Sequence, residues 1–193
     1  MDIVSEACAA GCRWISLREK DLSEDEQIAI FSGLRRAVQK WQVRATIHGS
    51  VRTVKAAAAD GVHLMAGRNP VAARAQLGSG ALIGLSVHHP HEIEKLPRDV
   101  LDYVIAGPVH ETESKPGYGP ALGAAGIAAM ASSDNNIPVV AIGGITPERA
   151  SDVIAAGATG IAVMGAVMRS ATPGREIARL LEALAGCKVE QNQ

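Results

Sequence analysis

The stretch Val139-Val140-Ala141-Ile142-Gly143-Gly144-Ile145-Thr146 decides the fold of this 193-residue chain. It begins as an apolar run, typical of a strand buried on both faces, and ends in two glycines before the helix start at Thr146-Pro147. A second run, Ile161-Ala162-Val163-Met164-Gly165-Ala166, repeats the design. Glycine lets the backbone approach a bound group closely, and the N–H groups of a following helix attract an anion. The two turns therefore predict a phosphate site formed by the backbone of Gly143, Gly144, Met164 and Gly165.

Five further apolar runs precede these two, and amphipathic segments separate them. Such alternation predicts right-handed βαβ units and a parallel sheet. We predict an α/β fold, a (β/α)8 TIM barrel, built as a single domain over residues 1–193. The seven predicted strands are Trp14–Leu17, Ala45–Ile47, Gly61–Leu64, Leu82–Val87, Tyr103–Ala106, Val139–Ile142 and Ile161–Met164.

A closed barrel needs eight strands, and only seven runs are visible. The chain opens with a predicted helix over Met1–Gly11, so the first strand is the one expected to be missing from this chain. Either that strand lies outside the sequence, or the barrel has a gap whose edges something must cover. An open doubly wound sheet is the competing architecture.

The composition argues against several classes of partner. The net charge is −1 and no long charge run occurs, so neither nucleic acid nor an anionic membrane is expected to bind. No apolar run reaches the roughly 20 residues that span a bilayer. The three cysteines, an odd number without metal-ligand spacing, fit a reducing cytoplasm. They are Cys8, Cys12 and Cys187.

Charged and hydroxyl side chains follow several of the predicted strands. Arg18 and Lys20 follow the first run and share a face, so they are expected to hold a second anion. After the run from Tyr103 comes a loop rich in proline and glycine, which is expected to close over a substrate. Within it, Thr112 and Lys115 are predicted to contact the bound ligand.

Three histidines end predicted strands and are expected to meet at one mouth of the barrel. They are His48, His88 and His110, and Ser86 shares a face with His88. Histidine is the usual proton shuttle near neutral pH, whereas a single histidine is more often structural. His63 lies inside a strand and is interpreted as packed.

A metal site is not expected from the sequence. Magnesium prefers carboxylate ligands, and the strand ends where these would be needed carry His48, Gly49 and Arg68. Asp60 precedes its strand and so lies at the wrong end of the barrel. Glu111 is near the mouth, where it is expected to orient a histidine or to act as a base.

Taken together, these segments resemble the thiamine phosphate synthase and thiazole tautomerase (TenI-type) superfamily. The resemblance runs from about Gly11 to Leu184, and the ordered set of motifs is specific. The segments that carry it are Leu17–Lys20, Ile83–His88, Asp102-Tyr103, Gly107–Val109 with Lys115, Pro138–Thr146 and Ala162–Ala166.

The synthase branch joins a pyrimidine diphosphate to a thiazole phosphate and uses Mg²⁺. The resemblance implies an Asn-Asp-Arg motif after the third strand of the barrel, where this chain has His48-Gly49-Ser50. It implies a second aspartate after the fourth strand, where this chain has Arg68, or Asn69 if the loop shifts by one. Both acids that would bind the metal are therefore absent.

The tautomerase branch moves a proton on a thiazole carboxylate phosphate and needs no metal. It is similar to this chain at Gly49, at Ser86–His88, and at Glu111-Thr112 with Lys115. Its catalytic histidine falls at Pro108, and His110, two residues along on the same face, is expected to stand in as general acid/base.

From sequence alone, metal-independent tautomerisation without a cofactor is the favoured function. Mg²⁺-dependent thiamine phosphate synthesis is the alternative, and a non-catalytic phosphate-binding relative is a third possibility. The expected partners are a small phosphorylated heterocycle and a second copy of the chain in a homodimer. His110, His88 and Glu111 are the catalytic candidates. Arg18 and Lys115 would bind anionic oxygens of the ligand other than the phosphate oxygens held by the glycine turns.

Overall fold

Seven strands alternate with helices in the computed structural model, which describes residues 2–112 and 120–190. The strands are β1 (Trp14–Leu17), β2 (Arg44–His48), β3 (Gly61–Leu64), β4 (Leu82–Val87), β5 (Tyr103–Ala106), β6 (Val139–Ile142) and β7 (Gly160–Ala162). The α-helices are α1 (Asp2–Ala9), α2 (Glu24–Val38), α3 (Val51–Ala57), α4 (Pro70–Leu77), α5 (Pro90–Ile93), α6 (Gly123–Ala131), α7 (Pro147–Ala155), α8 (Gly165–Met168) and α9 (Pro173–Glu190), with a 3₁₀ helix at Arg98–Val100.

The seven strands form one parallel sheet in chain order, from β1 beside β2 to β6 beside β7. A doubly wound sheet reverses its strand order at a switch point, so this competing architecture is excluded. The sheet is also strongly curled. The rings of Trp14 in β1 and Tyr103 in β5 lie 4.7 Å apart between centroids. Strands four places apart in a flat sheet would be about 19 Å apart. The fold is therefore of the predicted α/β barrel class.

The sheet is open between its two edge strands. Over the described residues β7 does not pair with β1, and α1 precedes the first strand of the sheet. This agrees with the predicted barrel that lacks its first strand in this chain. Trp14 on the open edge is 39% exposed, and all three residues of β7 are only half-buried.

The two faces of the sheet differ in chemistry. The face toward the helices is apolar and fully covered, for example at Ile47, Ile83 and Val104, each 0% exposed. The face toward the barrel axis carries polar groups, including Thr46 and His63. The sequence predicted strands buried on both faces. The buried Thr46 and His63 agree with this on the inner face, although that face is polar and not apolar. Polar residues fit there because they hydrogen-bond one another across the barrel.

The predicted helix start at Thr146-Pro147 is confirmed, because α7 begins at Pro147. Two other helices begin with a side-chain cap. Ser23 forms a capping box with Glu26 at the start of α2, and Asn69 caps α4 ahead of Pro70. None of the helices in the described ranges combines the length and the apolar character of a membrane span.

Two aspartates hold neighbouring strands together at the end of the barrel opposite the predicted site. Asp60 accepts from the backbone N–H of Ala45 at 2.6 Å and pairs with Arg35 at 2.6 Å. Asp102 does the same with the N–H of Ile83 and with Arg74, both at 2.7 Å. Each aspartate precedes a strand and ties it to the strand before, so these contacts hold register at the amino ends.

Removing Arg74 tests this arrangement. Its guanidinium also donates to the carbonyls of Gly78, Ala81 and Val100, and its side chain is 17% exposed. We expect Arg74→Ala to lower the free energy of unfolding by about 2 kcal/mol, because it leaves several half-buried acceptors without a donor. Urea denaturation measures the loss. The exposed Arg98 is the control, and equal effects of Arg98→Ala and Arg74→Ala would contradict the assignment.

Candidate active site

The carboxyl ends of the strands meet at one end of the barrel, which we call the mouth. Parallel pairing sets Val87 beside Ala106 and Ile142 beside Ala162, so the segments that follow these residues are neighbours. The described mouth segments are residues 18–22, 49–50, 65–69, 88–89, 107–112, 143–146 and 163–164.

The turn after β6 contains the two glycines on which the phosphate prediction depends. Gly143 and Gly144 have φ values of 106° and 62°, a region that side chains rarely adopt. Over the described residues, the N–H groups of Gly144 and Ile145 donate to no backbone carbonyl. The guanidinium of Arg149 donates to the carbonyl of Gly144 at 3.1 Å, so the carbonyl is held while the N–H groups remain available.

The turn after β7 lies beside the first, because Ile142 pairs with Ala162. The N–H groups of Met164, Gly165 and Ala166 donate to no backbone carbonyl in the described part of the chain. The Met164 side chain is 48% exposed. Two adjacent turns thus present backbone N–H groups, an arrangement that suits an anion.

The segment after β5 packs onto the first glycine turn. The N–H of Val109 donates to Ile142 at 2.8 Å, and that of His110 donates to Gly143 at 3.1 Å. A Cβ at Gly144 would lie 2.7 Å from both the Glu111 carbonyl oxygen and the His110 Cβ. Glycine is therefore required at position 144. The Gly-Gly pair in the sequence indicated a turn here but not its contact with the segment after β5.

His110, the predicted general acid/base, lies near charged residues of α7. Burial lowers the pKa of its imidazole, Arg149 lowers it further, and Asp152 opposes them. Its Nε2 is buried without a hydrogen-bond partner among the described residues. The imidazole is therefore neutral at physiological pH, as a general base must be.

His88, the second catalytic candidate, is held by the backbone. Its Nδ1 lies 2.6 Å from the carbonyl oxygen of Gly107, and the backbone N–H of His88 donates to the Glu92 carboxylate at 2.7 Å. A carbonyl can only accept, so Nδ1 of His88 carries the proton. The ring orientation is thereby fixed at the mouth.

Below the mouth lies a hydrogen-bonded layer inside the barrel, which the sequence analysis did not identify. His63 contacts Ser86 at 2.9 Å through Nε2 and Tyr103 at 3.3 Å through Nδ1. The indole of Trp14 donates to Thr46 at 3.2 Å. The sequence signal for this layer was the spacing of residues with polar groups two positions apart in a strand, because such residues share one face of the sheet. Examples are Thr46 with His48, and Ser16 with Trp14. Of this layer, the site prediction had named only Ser86 and, at its upper edge, His48.

Arg18 supplies positive charge above this layer. Burial, with a smaller contribution from Arg18, lowers the pKa of His48 to about 4. Burial, with smaller contributions from His48 and Arg18, lowers the pKa of His63 to about 3. The His48 and His63 rings lie 4.4 Å apart between centroids. Both histidines are neutral at physiological pH, whereas Arg18 is exposed and charged.

The other predicted residues are placed as follows. Lys20 is exposed, with its amine 3.9 Å from Asp21. Glu111 is exposed and Thr112 half-buried. Lys115 lies outside the described residues, so its predicted contact with the ligand stays a prediction.

Among the described residues, the two positions where the resemblance implies metal-binding acids do not fit a magnesium ion. Within the described ranges no three His, Cys, Asp or Glu side chains lie close enough together to hold a metal. Gly49 follows β2 and the exposed Arg68 follows β3, so the positions where the resemblance implies acids carry none. Asp60 bonds Ala45 at the other end of the barrel, as predicted.

The chain resembles proteins of one family over most of its length. The family model TMP-TENI, described as thiamine monophosphate synthase, matches residues 1–167. A provisionally named thiamine-phosphate synthase of Geobacter sulfurreducens is 39% identical over 94% of this chain and 85% of its own. A thiamine-phosphate synthase of Streptococcus suis is 32% identical over 100% and 86%. A solved thiamine phosphate pyrophosphorylase from Pyrococcus furiosus superposes with a TM-score of 0.84 at 28% identity, covering 96% of this chain and 89% of that one.

The two buried histidines predict how stability depends on pH. Their folded pKa values, about 4 for His48 and about 3 for His63, lie below the ordinary 6.5. The unfolded chain therefore takes up protons first as the pH falls. We expect the free energy of unfolding to be nearly constant between pH 7 and pH 8 and to fall from pH 6.5 toward pH 4, by about 1 kcal/mol per pH unit for each histidine.

Urea denaturation at several pH values measures this slope. His63→Gln should reduce the slope whatever its effect on absolute stability. His89→Gln, at an exposed loop position, should leave it unchanged. An identical slope in wild type and His63→Gln would contradict the assignment.

Proposed function

The chain belongs to the thiamine monophosphate synthase and TenI family, and from this premise we propose that it is a thiamine-biosynthesis enzyme that joins a pyrimidine diphosphate to a thiazole phosphate. The observation that carries the proposal is the similarity, over nearly the whole chain, to relatives named for this reaction. The sequence alone favoured tautomerisation and gave the coupling reaction second place. The names of the relatives favour the coupling reaction.

The thiazole phosphate would bind at the two glycine turns. The backbone N–H groups of Gly144, Ile145, Gly165 and Ala166 lie in two turns that are neighbours, because β6 and β7 end side by side. Phosphate sites in barrels of this class are commonly formed after the last two strands. A phosphate there would accept hydrogen bonds from the backbone and needs no counter-charge from a side chain.

The diphosphate of the second substrate would need cations. Arg18 lies at the mouth next to the neutral pair His48 and His63, and Lys20 is exposed two residues later. Arg68 is exposed in the loop after β3. These side chains, with Lys115, form the positive set that we assign to the diphosphate and its departure as a leaving group.

Magnesium has no evident place in this proposal. The synthase branch uses Mg²⁺, but the carboxylates that would bind it are replaced by Gly49 and Arg68. We therefore assign no step to a protein-bound metal, and we propose that guanidinium groups neutralise the charge that develops on the diphosphate.

A second candidate function is the metal-independent tautomerisation of a thiazole carboxylate phosphate. The observation that favours it is again that Gly49 and Arg68 replace the expected metal-binding carboxylates, because a proton transfer needs no metal. In this reaction neutral His110 would act as general acid/base, with His88 and Glu111 nearby. The phosphate would bind the same glycine turns, so the two candidates share a ligand site and differ in chemistry.

We also propose that the protein works in the cytoplasm as a homodimer. Cys8, Cys12 and Cys187 are free thiols, which fits a reducing compartment. The open edges of β1 and β7 offer unpaired backbone groups that a partner would cover.

Adding one methyl group at Gly144 tests the phosphate site. A Cβ there meets the Glu111 carbonyl and His110 at 2.7 Å, and the backbone has a positive φ, so the turn must shift. We expect Gly144→Ala to weaken binding of thiazole phosphate by about tenfold or more. Isothermal titration measures the affinity. Gly160→Ala is the matched control, since a Cβ at Gly160 meets nothing within 4 Å. Unchanged affinity in a folded Gly144→Ala variant would place the phosphate elsewhere.

A coupling assay tests the reaction. Wild type and Gly160→Ala should form thiamine phosphate from the two substrates. Gly144→Ala, purified identically, should form it about tenfold or more slowly when thiazole phosphate is below its KM; this pair also excludes a contaminating host enzyme. Because the donor set does not fit Mg²⁺, we expect a chelator to change the rate by no more than about twofold. Isomerisation of thiazole carboxylate phosphate without any coupling, lost in His110→Ala, would put the second candidate first.

A further inference from the structure

A cavity of about 480 Å³ lies at the end of the barrel opposite the mouth. It is found where β2 and β3 begin, because Arg44 is the first residue of β2 and Asp60 directly precedes β3. Along β2, Arg44 is about 13 Å from His48, the residue that ends this strand at the mouth. A ligand in this cavity would therefore leave the glycine turns free. The lining residues are Trp41, Gln42, Val43, Arg44, Asp60 and Gly80.

Trp41 gives the cavity an aromatic wall. The indole is half-buried, so one part of it packs against the core while another part lines the cavity. Gly80 also lines the cavity, and a Cβ at this position would meet nothing within 4 Å. The absence of a side chain at Gly80 leaves room for a flat ring, which can bury its face against the indole.

The charged groups around this wall are positive on balance. Arg44 is exposed, and the ammonium of Lys40 lies 4.4 Å from the centroid of the Trp41 ring. Neither cation has an ion-pair partner among the residues that the structure describes. The carboxylate of Asp60, by contrast, is already engaged by Arg35 and by a backbone N–H, each at 2.6 Å. Two cations are therefore left for a ligand.

We propose that this cavity is a second ligand site, which binds a planar aromatic ring that carries a phosphate. The ring would stack on Trp41, and the phosphate would accept hydrogen bonds from Arg44, with Lys40 adding charge. Two cations match a phosphate monoester, which carries nearly two negative charges, better than they match a carboxylate. Because reacting substrates bind at the carboxyl ends of the strands in barrels of this class, the ligand here is a different molecule from the one at the mouth.

Nuclear magnetic resonance of ¹⁵N-labelled protein detects binding at Trp41 directly. The chain has two tryptophans and hence two indole N–H signals, which Trp41→Leu assigns. The probe is adenosine 5′-monophosphate, which combines a flat ring with a phosphate. We expect it to shift the Trp41 signal saturably, with a Kd of about 1 mM or below. Adenosine, which lacks the phosphate, should bind about tenfold or more weakly. No saturable shift up to about 10 mM of the probe would overturn the proposal.

Substitutions at Gly80 and Arg44 test the cavity itself. The side chain of Gly80→Leu would fill the open space, so the affinity for adenosine monophosphate should fall about tenfold or more. Gly80→Ala, which adds a single methyl group, is the matched control and should change it by no more than about twofold. Arg44→Gln removes the charge that holds the phosphate and should weaken binding by about tenfold. Unchanged affinity in folded Gly80→Leu or Arg44→Gln would overturn the proposal.

The Gly144→Ala variant separates this site from the mouth. It should lose affinity for thiazole phosphate and keep the shift of the Trp41 signal by adenosine monophosphate. Gly80→Leu should behave in the opposite way, losing the shift and keeping the affinity for thiazole phosphate. If Gly144→Ala abolished the shift, the probe would belong to the mouth and the proposal would be wrong. The resonance experiment gives its answer whether or not the protein couples the two thiamine precursors.

Discussion

Parallel pairing of β6 with β7 is the constraint on which the candidate site depends. Because Ile142 pairs with Ala162, the two strands end side by side and their glycine turns become neighbours. Together the two turns present five N–H groups that donate to no backbone carbonyl in the described ranges, which suits an anion better than either turn alone. The segment after β5 is attached to the first turn by its own hydrogen bonds, since Val109 and His110 donate to the carbonyls of Ile142 and Gly143. Three consecutive loops are thereby held as one surface.

The sequence predicted the outer face of the sheet well and its inner face poorly. Five of seven predicted strands have the observed bounds, because apolar residues toward the helices mark them clearly. The prediction of the last strand ran to Met164, but pairing ends at Ala162 because Val163 and Met164 already belong to the turn toward α8. The inner layer was missed because its partners are far apart in sequence. Trp14 and Tyr103 meet only when the sheet curls. His63 was interpreted as merely packed, since a single histidine in a strand carries no sign of its partners.

Two kinds of observation disagree about the chemistry, and each has a physical basis. The relatives are named for a reaction with a diphosphate leaving group. The described part of the mouth nevertheless presents Arg18 and Arg68, and Gly49 and Arg68 stand where the resemblance implies metal-binding carboxylates. A guanidinium cannot polarise an oxygen as a metal ion does. It can neutralise a departing phosphate while donating two parallel hydrogen bonds to it. Both candidate reactions would bind a phosphate at the same glycine turns, so they share a proposed ligand site and differ in the chemistry beside it.

The two aspartates at the amino ends of β3 and β5 reveal a modular construction. Asp60 and Asp102 each accept from the N–H of the second residue in the strand before, and each returns its own N–H to that residue's carbonyl. Each is paired with an arginine from the helix that precedes this strand, Arg35 in α2 and Arg74 in α4. The same pair of contacts, an aspartate bonded to the preceding strand and to an arginine, thus occurs at β2–β3 and again at β4–β5. At β6–β7 Thr159 takes the place of the aspartate and bonds only the carbonyl of Val139. Strand register is therefore held at the end of the barrel opposite the mouth, so the side chains at the mouth are not needed for it.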